Sequence, residues 1–313
     1  MTSDLRARLQ GALGSNYSLQ RELGGAGMSH VFVARDETLG RNVVIKILMP
    51  NLAATLNVER FTREIRLVAS LQQANIVPVI ASGAVGALPY YSMPFIEGPT
   101  LRERIQRRSL PLSESVRILG DIARALEYAH EHGIIHRDIK PENVLLSGRT
   151  AVVTDFGIAK AINAAAKTPE LARSLTGAGT SLGTPGYMAP EQAAGDEVDA
   201  RADLYAWGVV AYEVLTGSHP FPGKTSALQL IAAQITEKPR PIDELRDLPE
   251  PLAVLVMRAI EKNPAARPQS AAEVIKALDD SAPLLKKRRR WKVVALVMTL
   301  ALIAALIALR LTR

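Results

Sequence analysis

The 313-residue chain has no cysteine. It can form no disulfide and offers no thiolate to a metal, which fits a reducing compartment. Histidine is scarce. His130 and His132 lie too close in sequence for a metal-binding pair on a helix, and both read as surface or capping residues. A basic surplus is also missing from most of the chain. The formal net charge is +7, but residues 286–313 hold eight Lys and Arg and no acid, and without them 30 basic residues face 31 acidic ones. The isoelectric point near 9.7 therefore belongs to the tail, and a nucleic-acid partner loses its compositional support. No internal repeat is visible. No signal peptide is expected either, because "MTSDLRARLQGAL" carries charge through its apolar positions.

What is present is a globular composition, 48% hydrophobic and 22% charged, in a chain long enough for two lobes. The tail then stands apart. Residues 293–309, "VVALVMTLALIAALIAL", run for 17 positions without a charge, behind "KKRRRWK". As a helix this run reaches about 25 Å, at the short end for a bilayer. A basic cluster and Trp291 at its mouth favour a single membrane span over a buried core helix. The positive-inside rule puts the basic juxtamembrane segment, 280–292, and everything before it in the cytoplasm. Residues 310–313 form a short tail on the far side.

Along the body, residues 17–97 read as a small, strand-rich lobe. Its short apolar runs are "YSLQREL", "HVFVAR", "NVVIKIL", "VPVIASG" and "PYYSMPF". One amphipathic stretch, "VERFTREIRLVASLQ", interrupts them, with Phe61, Ile65, Val68 and Leu71 at helical spacing. Residues 98–279 read as a larger helical lobe beyond a hinge at "PFIEGP". Its first long helix, "SESVRILGDIARALEYAHEHG", is expected to start on a serine cap and end at Gly133. Residues 1–16 are an N-terminal extension.

Within the large lobe, "HRDIKPEN" (136–143) packs six polar or charged side chains into eight positions between apolar flanks. Polar residues fenced in this way converge on a site more often than they dangle as a solvated loop. Five further motifs accompany it in order. They are "LGGAGMSHVF" after the first strand, "VVIK" ending at Lys46, "FTREI" with Glu64 on the intervening helix, "VVTDFGIAK" with Asp155 after a β-run, and "GTPGYMAPE" at 183–191.

Together these resemble the signature set of protein kinase catalytic domains over residues 17–279. With its tail, the chain is similar to the membrane-anchored, eukaryotic-like (Hanks-type) serine/threonine kinases of bacteria. The resemblance implies an α+β bilobal fold, with a small antiparallel β lobe carrying one main helix and a large helical lobe. It also implies ATP with Mg2+ or Mn2+ as cofactors, protein substrates, and γ-phosphoryl transfer to Ser or Thr hydroxyls.

Carried over residue by residue, the resemblance makes Asp138 the base that accepts the hydroxyl proton. Lys140 neutralises the γ-phosphate, Lys46 contacts the α- and β-phosphates, and Glu64 pairs with Lys46 in the active state. Asn143 and Asp155 hold the metal, and His136 packs structurally. Leu23, Gly24, Gly25, Ala26, Gly27, Val31 and Val44 close over the nucleotide, with the adenine on the hinge at Met93, Pro94 and Ile96. Thr184 touches the base and its lysine, Glu191 pairs with Arg267, and Asp203 braces the catalytic-loop backbone.

The glycine loop departs from the family pattern. Anchored on Val31, the three family glycines fall at Gly24, Ala26 and Ser29, so only the first is kept, while Gly25 and Gly27 preserve flexibility. Val44 replaces the family's usual alanine. A mobile loop is expected over 161–182, and Arg137 is expected to await a phosphate upon it. The candidate acceptors are Thr168, Ser174, Thr176, Thr180 and Ser181, with Thr176 and Thr180 favoured. Self-phosphorylation in trans would use a homodimer. The degraded glycine loop is the one feature that favours a rival reading, a membrane-tethered pseudokinase scaffold. A small-molecule kinase of related fold is disfavoured, because "GTPGYMAPE" resembles a peptide-docking segment.

Overall fold

The computed structural model describes residues 2–24, 29–107, 110–166, 185–281 and 283–284. The loop positions Gly25, Ala26 and Gly27, the residues Thr168, Ser174, Thr176, Thr180, Ser181 and Thr184, and the apolar run 293–309 lie outside them. Among the described residues, no helix is long and apolar enough to cross a membrane.

Strand alternation builds the small lobe. β1 (Tyr17–Gly24), β2 (Ser29–Asp36), β3 (Arg41–Leu48), β4 (Ala81–Val85) and β5 (Leu88–Pro94) form an antiparallel sheet in the order β1-β2-β3-β5-β4. On β3, Val43, Ile45 and Ile47 enter one core with Phe32, Ala34, Phe61 and Ile65, whereas Val44 joins a separate cluster with Val77, Met93 and Val152. This is the period-two pattern of a strand apolar on both faces. The segment "VPVIASG" is strand only from Ala81 onward. Upstream of it, Val77 N–H donates to Val153 O (2.9 Å), so the start of the segment binds the large lobe, while Ile80 N–H donates to Ser92 O of β5 (2.8 Å).

Two short helices connect the strands: α2 (Pro50–Ala54) and α3 (Val58–Val68). Asn57 caps α3, its side chain accepting from Arg60 N–H at 2.9 Å. Phe61, Ile65 and Val68 are buried along one face of α3, and Leu71 is buried beyond its end.

The N-terminal extension is also ordered, as α1 (Thr2–Leu13). Leu5, Leu9 and Leu13 recur every four residues and sink into the small-lobe core. The charges between them lie on the other face, where they serve β1, the edge strand. Arg6 Nη2 donates to Leu19 O (2.9 Å) and Gln20 O (2.8 Å), and Gln10 Nε2 donates to Tyr17 O (2.7 Å). Leu19 N–H donates back to Gln10 Oε1 at 2.8 Å. These bonds satisfy part of a backbone row that an edge strand leaves open.

In the large lobe, α4 (Leu101–Arg107) and α5 (Leu112–Glu131) precede the hairpin of β6 (Val144–Ser147) and β7 (Thr150–Val153). The expected serine cap of α5 is not formed. The helix starts at Leu112 on Pro111, whose carbonyl accepts from Glu114 N–H and Ser115 N–H at 2.9 Å each. Proline already presets the φ of the first turn, so the serine is displaced inward. Gly98 joins the lobes at φ +141°, and a Cβ there would sit 1.9 Å from Leu146 O.

Residues 158–165 correct the expected mobile loop at its start: they form α6 (Ile158–Ala165). Ile158, Ala161, Ile162 and Ala165 fall at helical spacing, and all are buried in the small-lobe core. Asn57 N–H donates to Ala165 O at 2.7 Å, which ties α6 to the cap of α3. Beyond lie α7 (Pro190–Ala194), α8 (Arg201–Thr216), α9 (Ala227–Thr236), α10 (Glu250–Ala259) and a last helical stretch over 271–281. α8 is buried from Ala202 through Leu215 and forms the axis of the large-lobe core.

Leu9 is fully buried, so Leu9→Ala should lower the unfolding free energy by about 2–5 kcal/mol. Urea denaturation measures this, and an unchanged midpoint would refute the packing of α1 on the sheet.

Candidate active site

Both lobes furnish the walls of the cleft between them. Val31, Val44, Val77, Met93, Phe95 and Ile96 come from the small lobe and hinge, and Leu145 and Val152 from the β6–β7 hairpin, as one apolar cluster. An apolar slot with a polar margin suits a flat heteroaromatic ring. Leu23, at the end of β1, is exposed, and Pro94 pairs opposite Val43 at the rim.

Polar groups gather below this slot. Lys46 Nζ meets Asp155 Oδ2 at 2.6 Å, and Tyr91 Oη donates to Asp155 Oδ1 at 2.9 Å. Burial opposes charge on Asp155, yet the Lys46 ammonium and the two hydrogen bonds outweigh it and hold the carboxyl below its ordinary range. Asp155 is at φ +66°, and the following Gly157 is at φ +64°, where a Cβ would meet Val68 Cγ2 at 2.7 Å. That close approach requires glycine.

Glu64 is not with Lys46 in this structure. Among the described residues its ion pair is with Arg63, at 3.9 Å, because Asp155 holds the ammonium and α6 packs along α3.

A second group forms where "HRDIKPEN" folds. Asp138 Oδ2 accepts from Lys140 Nζ at 2.8 Å and from Asn143 Nδ2 at 3.0 Å. Asn143 Nδ2 also donates to Asp138 O (2.8 Å), while Thr154 N–H donates to Asn143 O (2.9 Å), bringing the loop alongside Asp155. Two oxygen-bearing side chains, Asn143 and Asp155, suit a hard cation that keeps waters and nucleotide phosphates as its other ligands. No group of three or more His, Cys, Asp or Glu able to hold a metal occurs among the described residues.

The loop is braced from beneath by Asp203 on α8. Its Oδ2 accepts from His136 N–H (2.8 Å), and its Oδ1 accepts from Arg137 N–H (2.8 Å). His130 Nε2 lies 2.8 Å from the same Oδ2. His130 is therefore no surface residue: the end of α5 carries it inward to a buried carboxylate. Burial raises the Asp203 pKa, but the bond and charge from His130, with His136, turn the net shift downward. His136 is fully buried, with Nε2 donating to Thr154 O (2.9 Å) and Nδ1 accepting from Asp138 N–H (3.2 Å), and packs edge-on to Phe156.

Arg267, with no exposed surface, forms a bidentate pair with Glu191, both contacts at 2.7 Å. A further network escaped sequence reasoning. Arg102 on α4 bonds Glu142 (2.7 Å), Glu213 (2.5 Å) and the Tyr187 hydroxyl, and Tyr187 also donates to Glu213. Burial and Glu213 push the Tyr187 phenol far above its ordinary range. Nothing local in the sequence pairs residues so far apart.

The family model described as "Protein kinase domain" matches residues 17–278. The chain is 39% identical over 270 residues to "Serine/threonine-protein kinase PknB" of Mycobacterium leprae, covering 84% of this chain and 42% of that one. It is 37% identical over 274 residues to "Serine/threonine-protein kinase pkn2" of Myxococcus xanthus, covering 85% and 32%. The chain thus spans less than half the length of these curated relatives. Among solved structures, the Mycobacterium tuberculosis PknI kinase domain superposes with a TM-score of 0.66 at 26% identity, covering 85% of this chain and 96% of that one. With the motifs in order along a bilobal fold and a family model matched from the first strand to the last helix, this chain belongs to the protein kinase family.

Proposed function

We propose that the chain is an ATP-dependent serine/threonine protein kinase. The observation that carries this reading is the convergence of Lys46, Asp138, Lys140, Asn143 and Asp155 in one cleft beneath an apolar slot. A degraded glycine loop alone favours the scaffold reading, and intact phosphate- and hydroxyl-directed groups weigh more. Adenine occupies the slot at Val31, Val44, Met93 and Ile96. Lys46 leaves Asp155 for the phosphates. Among the described residues, Oδ2 of Asp138 is engaged by Lys140 and Asn143, so Oδ1 is left to accept the proton of the attacking hydroxyl. Lys140, beside it, offsets charge on the phosphoryl group in flight. A Mg2+ or Mn2+ ion held by Asn143, Asp155 and the nucleotide would neutralise phosphate charge and fix its geometry.

Asp138→Asn should abolish transfer to a generic protein substrate while nucleotide binding persists. Asp155→Asn should abolish transfer and also weaken metal-dependent nucleotide binding. Wild-type turnover in both purified variants would refute the reading.

The chain is further proposed to phosphorylate itself within 168–181, in trans between two copies. Arg137 supports this: it sits at φ +66°, and among the described residues its buried Nε has no hydrogen-bond partner, a donor suited to a phosphate oxygen. Mass spectrometry should find phosphate on this segment in the wild type and none after Asp138→Asn. Phosphate in both samples, or in neither, would overturn self-activation.

The run 293–309 is proposed to anchor the domain to the cytoplasmic membrane, on the strength of its length, apolarity and basic flank. Removing 291–313 should then shift the protein from the membrane fraction to the soluble fraction with its activity retained. Full-length protein that is soluble without detergent would refute the anchor.

A further inference from the structure

Tyr91 belongs to no motif, yet it touches the carboxylate on which the site turns. In the β3–β5 register it lies directly opposite Lys46, so the two side chains project from the same face of the sheet. Both reach Asp155, from adjacent strands: Lys46 to Oδ2 at 2.6 Å and Tyr91 to Oδ1 at 2.9 Å. Tyr91 is buried, with 3% of its surface exposed, so its phenol has little water to turn to. The two contacts differ in kind. Lys46 has phosphates to move to when nucleotide arrives, whereas Tyr91 has none within its closed pocket.

We propose that Tyr91 is a positioning residue for Asp155, pinning Oδ1 from inside the small lobe so that Oδ2 is the oxygen offered to the nucleotide-borne cation once Lys46 departs. This rests on the kinase reading of Lys46 and Asp155. It makes the aim of the metal-facing carboxylate depend on a small-lobe strand as well as on the loop that carries it. Without the phenol, Oδ1 keeps only the long 3.5 Å contact from the Thr154 hydroxyl, and the carboxylate rotates more freely.

The test is calorimetry of a non-hydrolysable ATP analogue on the full chain, with Mg2+ and with chelator. Tyr91→Phe keeps the ring and removes only the donor. It should cut the Mg2+-dependent gain in affinity by ~10-fold, as expected for a hydrogen bond to a charged group, and leave chelator-phase affinity unchanged. Tyr91→Met, which fills the pocket without a donor, should give the same loss. In an Asp155→Asn background, Tyr91→Phe should change nothing further. A metal-dependent gain equal to wild type in both variants would overturn the proposal. An equal fall in both phases would also overturn it, since that marks a merely structural role. A wild-type chain with no metal-dependent gain would instead refute the kinase reading of the site itself.

Discussion

A single contact, 2.6 Å between Lys46 of the small lobe and Asp155 of the large, organises the cleft. Neither charge would be tolerated there alone. Removing an ion from water costs several kcal/mol, and the loss is offset only by good geometry and further hydrogen bonds. The cleft meets that condition through Tyr91, which satisfies the second carboxylate oxygen. The rest of the architecture can be read as support for this meeting. β3 carries Lys46 down from a sheet packed on its opposite face, Gly98 permits the close approach of the backbone at Leu146 O, and Gly157 leaves room for the Val68 side chain of α3.

The second fixed point is Asp203. Three groups, His130, His136 N–H and Arg137 N–H, converge on a carboxylate with no exposed surface. Arg137 sits in the left-handed region, a conformation that costs a side-chain-bearing residue of order 1–3 kcal/mol unless its surroundings impose it. Asp203 is the imposing group, because its two oxygens accept from consecutive amides and leave that turn one shape. Asp138 follows at once, and its own N–H is taken by His136 Nδ1, so the turn's geometry is passed on to the acidic side chain. A helix axis buried along its whole length, α8, is a rigid platform for such a brace.

Sequence reasoning reached the parts that local pattern encodes. Alternation in "NVVIKIL", helical spacing in "VERFTREIRLV" and the polar knot "HRDIKPEN" each announce themselves within a dozen residues. The failures share one cause: the deciding partner was distant. α1 hid because its leucines recur at every fourth position between charges, a pattern that reads as interrupted until a sheet edge is there to receive Arg6 and Gln10. Over residues 161–165, "IAKAINAA" reads as the start of a mobile loop on small-residue composition. Its apolar positions nevertheless fit a helix as soon as α3 supplies a surface. Tyr91 looked like one more β residue, although its register opposite Lys46 could have flagged it once the strands were paired. His130 could be assigned only after the fold brought α5 and α8 together.

The position of α6 and the isolation of Glu64 are two aspects of one state. Lys46 carries one ammonium, which Asp155 holds here, and on the proposed kinase reading Glu64 would compete with Asp155 for it. With Asp155 holding it, Glu64 stays off Lys46, and α6 is packed along α3 with Ile158 and Ile162 buried in the small-lobe core. Burial of a single isoleucine is worth about 1.5–3 kcal/mol, so this packing resists any shift of α3 that would strip it. On the proposed kinase reading, a cation delivered to Asp155 with a nucleotide would change the balance from the other side, since it would satisfy the carboxylate and free Lys46. Linkage then requires the effect to be reciprocal: whatever favours Lys46–Glu64 pairing favours cation binding by the same factor. A phosphate on the segment after α6, bound by the buried Nε of Arg137 that has no partner among the described residues, would on the same reading weigh in the same direction. Nucleotide, cation and loop phosphate would in this way act on a single equilibrium, and each can move it only by its own difference in affinity for the two arrangements.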